Sequence, residues 1–385
     1  MNKRNLSIDI FRALTMVLMV AVNDVWTVLD TPKWILHTAT MEDGMGLSDI
    51  VFPMFLFAMG MSVPYALENR YNKGYSVGST VRHILSRTLA LLLMGVFINN
   101  AEGGMAGNKG VYWLVMLLGF FLVWNQYPKD YQPQKWFRLA GIAILTVLAV
   151  TFRKADGGLF QAGWWGILGL IGWAYLFTSS AYLLCREKPW ILALIWGALC
   201  LMNLSIVPMR DGGFWIGKNV VADLGRALNL GNGSSAIMAL GGTLTVLAER
   251  KEKPMMWQLF YGLMAAAFMA YLGTCFHDGW IISKNIGTLP WCMFVSAFSV
   301  VLYSLLRLLE VKGWTHWARP LMPAGTATLT VYMVPYLFYA FRNLLGIETP
   351  TWLCGYVGVL KCAFFSALCV FVAWALGKAG IKLKI

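Results

Sequence analysis

Along most of the chain the hydrophobic positions do not alternate with polar ones. They run on in blocks of roughly 20 residues, the length a helix needs to cross the hydrocarbon core of a bilayer. Twelve such blocks lie at 8–29, 47–68, 84–100, 110–126, 136–152, 164–185, 189–206, 233–249, 256–275, 288–309, 323–345 and 353–377. Some are near the short limit for a span, so ten or eleven crossings fit as well. The pattern predicts an all-α, polytopic transmembrane helix bundle of about 12 spans (10–12 at the limits of the pattern). The connections are too short for a soluble domain; the longest, 207–232, is rich in Gly, Asn and charge. Residues 1–385 therefore read as a single integral-membrane domain. Pro53 and Pro64 fall inside the second block and predict kinks there.

Composition agrees with the pattern. Hydrophobic residues make up 58% of the 385 and charged ones only 13%, with a mean hydropathy of +0.62; soluble domains carry about 25% charge. The net charge of +13 would suggest nucleic acid in a soluble chain. Here the cations sit in the connections between apolar blocks, and no basic arm interleaved with aromatics occurs, so nucleic-acid binding is not implied. Cytoplasmic connections of membrane proteins are enriched in Lys and Arg. With the N-terminus inside and the blocks alternating, 20 of the 31 Lys and Arg residues fall inside and 9 outside. That split predicts both termini cytoplasmic and the connection after the first block outside. Lys3 and Arg4 precede an apolar run too long for a signal-peptide core, so that run reads as a retained first span. None of the seven cysteines forms a Cys-x-x-Cys pair, and neither a metal site nor a disulfide framework is implied.

Polar groups inside or beside the spans are costly and mark candidate chemistry. Asp9 and Arg12 share a face of the first helix at i and i+3 and can pair. Asn23 and Asp24 stand near its outer end. The connection that follows holds His37, one of only four histidines, then Glu42, Asp43 and Asp49. A carboxylate beside an imidazole fixes its tautomer and stabilises its protonated form, as a general base or an acyl-accepting nucleophile requires. Ser48-Asp49 also opens the second helix, so Asp49 reads equally well as a helix-capping residue. On the inner side, Arg82 and Arg87 lie in a basic connection (69–87) that topology alone explains, or that could bind a phosphorylated ligand. Outer stretches around Arg210, His277-Asp278 and Ser283-Lys284-Asn285 offer further polar groups suited to a hydrophilic substrate such as a sugar.

Ser7-Ile8-Asp9-Ile10-Phe11-Arg12-Ala13, Val22-Asn23-Asp24, His37, and Asp49-Ile50-Val51-Phe52-Pro53-Met54-Phe55-Leu56-Phe57-Ala58-Met59-Gly60 resemble the heparan-alpha-glucosaminide N-acetyltransferase family. Ala13 stands where the family pattern has Gly. The resemblance is that of a bacterial member and covers roughly the first 100 residues; Ser283-Lys284-Asn285 adds a shorter likeness. It implies a multi-pass acyltransferase of the bacterial cytoplasmic (inner) membrane, moving an acetyl group from cytosolic acetyl-CoA to an amine or hydroxyl of an extracytoplasmic sugar or glycan. It places the active-site histidine on His37 and its helper asparagine on Asn23. In such a reaction Asp49 or Asp24 could orient the imidazole. Arg12, Arg82 and Arg87 would meet the phosphates of the acetyl-CoA co-substrate, and Glu42, Asp43, Lys284 and Asn285 the acceptor. The family also implies a homodimer. The competing reading is a secondary transporter of a polar small molecule, which the span count allows; the crowding of catalytic residue types into one loop favours the enzyme.

Overall fold

The structure is a computed structural model that describes residues 5–128, 130–186, 188–215, 218–249 and 254–385. Its helices are α1 (Leu6–Asp24, continued by a 3-10 turn at Val25–Thr27), α2 (Leu47–Asn72), α3 (Val77–Glu102), α4 (Lys109–Trp124), α5 (Gln134–Thr151), α6 (Ile167–Cys185), α7 (Pro189–Ile206), α8 (Lys218–Ala227), α9 (Ser234–Glu249), α10 (Met255–His277), α11 (Leu289–Val311), α12 (Met322–Thr326), α13 (Thr328–Leu344) and α14 (Gly355–Lys378). Among the described residues the only extended pairing is three isolated bridges. The all-α fold is as the apolar blocks predict.

Nine helical segments among the described residues are long and apolar enough to cross a membrane. α4 and α9 are apolar but shorter, and the late block 323–345 is broken, His316–Thr326 and Thr328–Leu345 meeting at 77°. Pro320 and Pro323 lie in the first piece of that break, where their missing amide hydrogens cannot continue a ladder. Each of the twelve expected blocks thus holds a helix. The connections differ more. The expected connection 69–87 is mostly helical, because α3 begins at Val77, capped by Ser76 Oγ on the amide of Ser79 (3.2 Å). Apolar runs mark the width of the hydrocarbon, not the ends of helices, so Arg82, His83 and Arg87 become helical residues. The 207–232 connection likewise contains α8. Of the cations behind the predicted orientation, Lys3, Arg4, Lys129, Arg250, Lys251 and Lys253 lie outside the described residues.

The chain divides into two compact units. The first comprises the chain up to Thr15, Pro32–Thr88 and Trp173–Arg319. Here α2 packs along α9 with two glycines at the crossing. A Cβ at Gly60 would collide with the main chain of Ala239, and one at Gly242 with the main chain of Phe57. Small residues of this kind let helix backbones approach without an apolar driving force in lipid, and Thr243 Oγ1 uses the approach to donate to the carbonyl of Gly60 (2.9 Å). α2 continues through both Pro53 and Pro64. Glu310 of α11 accepts from the amides of Leu6 (3.2 Å) and Ser7 (3.0 Å), a carboxylate on the positive end of α1.

The second unit comprises Met16–Thr31, Leu89–Gly172 and Pro320–Ile385. α4 packs on α5 and on α13, and α13 on α14. Asn343 accepts from the amide of Gly110 (2.9 Å) where α4 meets α13.

Candidate active site

The connection between α1 and α2 is folded by the needs of the α2 N-terminus. The first amides of a helix lack partners within it. Leu47 N donates to the carbonyl of Trp34 (2.8 Å) and Ser48 N to that of Ile35 (3.1 Å), while Ser48 Oγ returns to the same Ile35 carbonyl (2.5 Å). Gly46 lies so close to this segment that a Cβ there would strike the Leu36 carbonyl. The pairing holds residues 34–36 beside the helix start and delivers His37 to it.

Asp49 is fully buried on the first turn of α2. Its Oδ2 accepts from the amides of Gly46 (3.0 Å) and Thr38 (3.0 Å) and from Thr38 Oγ1 (3.1 Å). Its Oδ1 receives His37 Nδ1 at 2.6 Å. The cap and the histidine-orienting group are therefore one carboxylate. With Nδ1 donating to Asp49, Nε2 is left to take a proton, and the ring is half-exposed. Trp291 Nε1 donates to the Asp49 carbonyl (3.1 Å) and ties this turn to α11.

A second loop, between α10 and α11, closes over the first. Asn285 Nδ2 donates to the Thr38 carbonyl (3.0 Å), Ser283 Oγ to that of Thr40 (3.1 Å), and Gly44 N to that of Ile282 (2.9 Å). Between these links, Lys284 Nζ comes to 3.2 Å from His37 Nδ1 and 3.3 Å from Nε2. Burial pushes the Lys284 ammonium below the usual lysine range, with Asp49 pulling the other way.

Asp43 anchors the far end of the loop pair. Its carboxylate accepts from Ile282 N (2.8 Å), faces His277 Nε2 (2.9 Å) and is paired with Arg210. Arg210 Nη2 also reaches His277 Nε2 (2.8 Å), and its Nε donates to the His277 carbonyl (3.1 Å). Partial burial raises the Asp43 carboxyl, but the hydrogen bonds from Ile282, His277 and Arg210 outweigh it and hold the group below its usual range. Glu42, by contrast, is exposed, and among the described residues its carboxylate accepts only the amide of Ala39 (3.1 Å).

A sequence profile of the heparan-alpha-glucosaminide N-acetyltransferase catalytic family matches residues 4–210, more than half of the chain. The chain belongs to that family. The Mus musculus protein named heparan-alpha-glucosaminide N-acetyltransferase is 30% identical over 135 residues, 31% of this chain and 20% of the mouse protein. The chain thus spans about a fifth of that relative's length. Membership makes this a protein of a membrane acetyltransferase family. The heparan-alpha-glucosaminide N-acetyltransferase match takes in His37, Asp43, Asp49 and Arg210, while His277, Lys284 and Asn285 come after it.

The remaining expected residues are placed as follows. Asn23 is exposed on α1, in the second unit, and its side chain makes no hydrogen bond among the described residues. Asp24, its neighbour, is buried, and both its oxygens are engaged: Oδ2 by Lys361 Nζ (2.5 Å) and Oδ1 by Tyr339 (3.0 Å). Lys361 also donates to Thr27 Oγ1 (2.7 Å). Asp9 and Arg12 form the expected ion pair at 3.8 Å. Arg82 is exposed on α3, and Arg87 is partly buried with its guanidinium 4.7 Å from the centre of the Tyr175 ring. Among the described residues, no group of three or more His, Cys, Asp or Glu could hold a metal ion. Thr38, Trp291, Lys361 and Tyr339 are partners that residue-type patterns missed; each is far in sequence from the group it serves or of an unremarkable type.

Proposed function

We propose that the protein transfers an acetyl group from acetyl-CoA to the amine or hydroxyl of an extracytoplasmic sugar, with His37 as general base. The observation that carries this reading is the 2.6 Å contact from His37 Nδ1 to the buried Asp49 carboxylate. It fixes the tautomer and leaves Nε2 at the half-exposed face as proton acceptor. As the acceptor nitrogen or oxygen bonds to the acyl carbon, its proton passes to Nε2; the C–S bond breaks and the departing thiolate takes that proton. Lys284, whose Nζ is 3.3 Å from Nε2, supplies the cation that stabilises the oxyanion of the tetrahedral intermediate in this reading. One neutral donor in such a place is worth about 2.7–4 kcal/mol.

Asp49 orients the imidazole, and Lys284 belongs with the chemistry rather than the acceptor. Asn285 and Asp43 hold the loops together, leaving Glu42 as an exposed carboxylate for the acceptor. Arg12, Arg82 and Arg87 are the groups proposed for the donor's phosphates. Asn23 keeps its proposed helper role on the family resemblance alone.

The test is transfer of labelled acetyl from acetyl-CoA to glucosamine by the purified protein. His37→Ala should abolish it while the protein still elutes and melts as the parent does. Transfer at the parental rate by that variant would end the reading.

A further inference from the structure

The outward ends of α1, α3, α4 and α13, as the charge pattern orients them, carry a set of rings and carboxylates that the proposed chemistry leaves unused. All of it lies in the second unit. Tyr332, Tyr336 and Tyr339 follow one another along one face of α13. Tyr336 donates to Oε1 of Glu102 (3.1 Å), the last residue of α3, and Tyr339 donates to Asp24 (3.0 Å). Trp113 of α4 packs against two of these rings, its centroid 6.0 Å from that of Tyr336 and 6.1 Å from that of Tyr339. Trp26 meets Tyr339 edge to face at 5.6 Å and is 64% exposed. Lys109 Nζ lies 4.9 Å from the centre of the Trp113 ring, within electrostatic reach of Glu102.

Two polar atoms on the neighbours of Tyr336 are left unused. Trp113 is only 6% exposed, yet its Nε1 is buried with no hydrogen-bond partner among the described residues. A buried donor without a partner is costly. Glu102 is exposed, and its Oε2 accepts no hydrogen bond among the described residues. Asp24 differs, since Lys361 and Tyr339 take both its oxygens. An aromatic belt at the bilayer surface does not account for the arrangement, because Trp113 and Tyr336 are buried within the unit. Rings beside an open carboxylate and an open N–H suit a polyhydroxylated ligand. Its hydroxyls donate to the carboxylate and accept from the N–H, while its C–H face packs on a ring. A phosphate or sulfate would meet the Glu102 carboxylate as a like charge.

We propose that Glu102, Trp113 and Tyr336 form a binding site for a pyranose unit of a glycan, with Trp26 at its exposed edge. A sugar hydroxyl donates to Glu102 Oε2, and a second sugar oxygen accepts from Trp113 Nε1. The residues are separate from His37 and its partners, and binding to them needs no acetyl-CoA. The test uses the full-length protein without acetyl-CoA and a glucosamine trisaccharide carrying a photoreactive diazirine, the captured peptides being mapped by mass spectrometry. Capture should appear on 100–113 and 332–342 and be competed by the unmodified trisaccharide. Glu102→Gln should lower that capture about tenfold, as loss of one hydrogen bond to a charged group does. Trp113→Phe, which keeps a ring and removes the N–H, should lower it about fivefold. Capture on 37–44 reports the proposed acetyl-acceptor site and should be the same in both variants as in the parent, which also guards against a folding artefact. Capture confined to 37–44, or none at all, would overturn the proposal, and so would capture on 100–113 that both variants retain. Competition by a galacturonic acid trisaccharide as strong as by the glucosamine one would also overturn it, because Glu102 should turn a polyanion away.

Discussion

Lys284 Nζ stands 3.2 Å from Nδ1 and 3.3 Å from Nε2 of His37, although 247 positions separate the two residues. Nδ1 is committed to Asp49, so Nε2 is the nitrogen that can accept from the ammonium. On the proposed chemistry Lys284 yields Nε2 when an acceptor arrives and then meets the developing oxyanion. Lys284→Met should lower kcat by about 10²–10³, the range for losing one oxyanion donor, with a smaller change in KM for the acceptor.

The same substitution has a stability signature. The folded-state pKa of Lys284 is lowered by burial from the usual 10.5. A lysine with a lowered pKa costs stability while charged, and that cost fades as pH rises from the folded value towards the unfolded one. The parent should therefore gain thermal stability from neutral pH towards 10.5, where Lys284→Met stays flat. Parallel melting curves for the two proteins across that window would count against a buried ammonium.

Asp49 serves as cap and as partner of the imidazole, and two substitutions separate the roles. Asparagine can still accept from Gly46 N through its carbonyl oxygen but cannot hold His37 in the same tautomer. Asp49→Asn should keep most of the stability and lose up to about four orders of magnitude in rate, as wrong-tautomer variants of His–Asp pairs do. Asp49→Ala should lose the rate and also about 1 kcal/mol of stability from the missing cap. Chemical denaturation of both variants beside acetyl-transfer rates decides it. Equal stability of the two would show that the carboxylate does not cap α2.

Asp43 makes the loop pair sensitive to acid. Its folded-state pKa is lowered below 3.8, burial being outweighed by the hydrogen bonds from Ile282, His277 and Arg210. A carboxyl with a lowered folded pKa contributes stability above its unfolded value and loses it as pH falls through the folded one. The clamp should hold through neutral pH and release only below the ordinary carboxylate range. Arg210→Gln removes one of the three supports, so amide exchange of 278–288 should rise at a higher pH than in the parent. Identical acid profiles would show that Arg210 does not support Asp43.

What was legible in the chain follows from the range of the interactions. Continuous apolar runs report the bilayer directly, so every expected block holds a helix. His37 and Asp49 are 12 apart, and an acid at the start of a helix is a local signal, so that pair was readable. Asp43 with His277, at a separation of 234, depends on how two loops meet, and no short pattern carries that. Residue types alone make Asp24 a candidate catalytic group; its partner Lys361, 337 residues away, lies beyond any local pattern. The helical start of α3 was hidden because polar residues cap and extend helices beyond the hydrocarbon.

Asp24 and Lys361 show what such a distant partner does. The carboxylate is buried, with its two oxygens taken by Lys361 and Tyr339, and the ammonium also holds Thr27 at the end of α1. Removing one member of a buried pair leaves the other charge uncompensated, at a cost of about 3–5 kcal/mol, whereas replacing both with neutral groups is often nearly neutral. Lys361→Met should therefore lower the melting temperature strongly, and Asp24→Asn combined with Lys361→Met should recover most of the loss. If Asp24 acts in catalysis instead, the double variant would fold normally and still transfer no acetyl group. Recovery of both stability and transfer in the double variant assigns the pair to holding the end of α1 against α14.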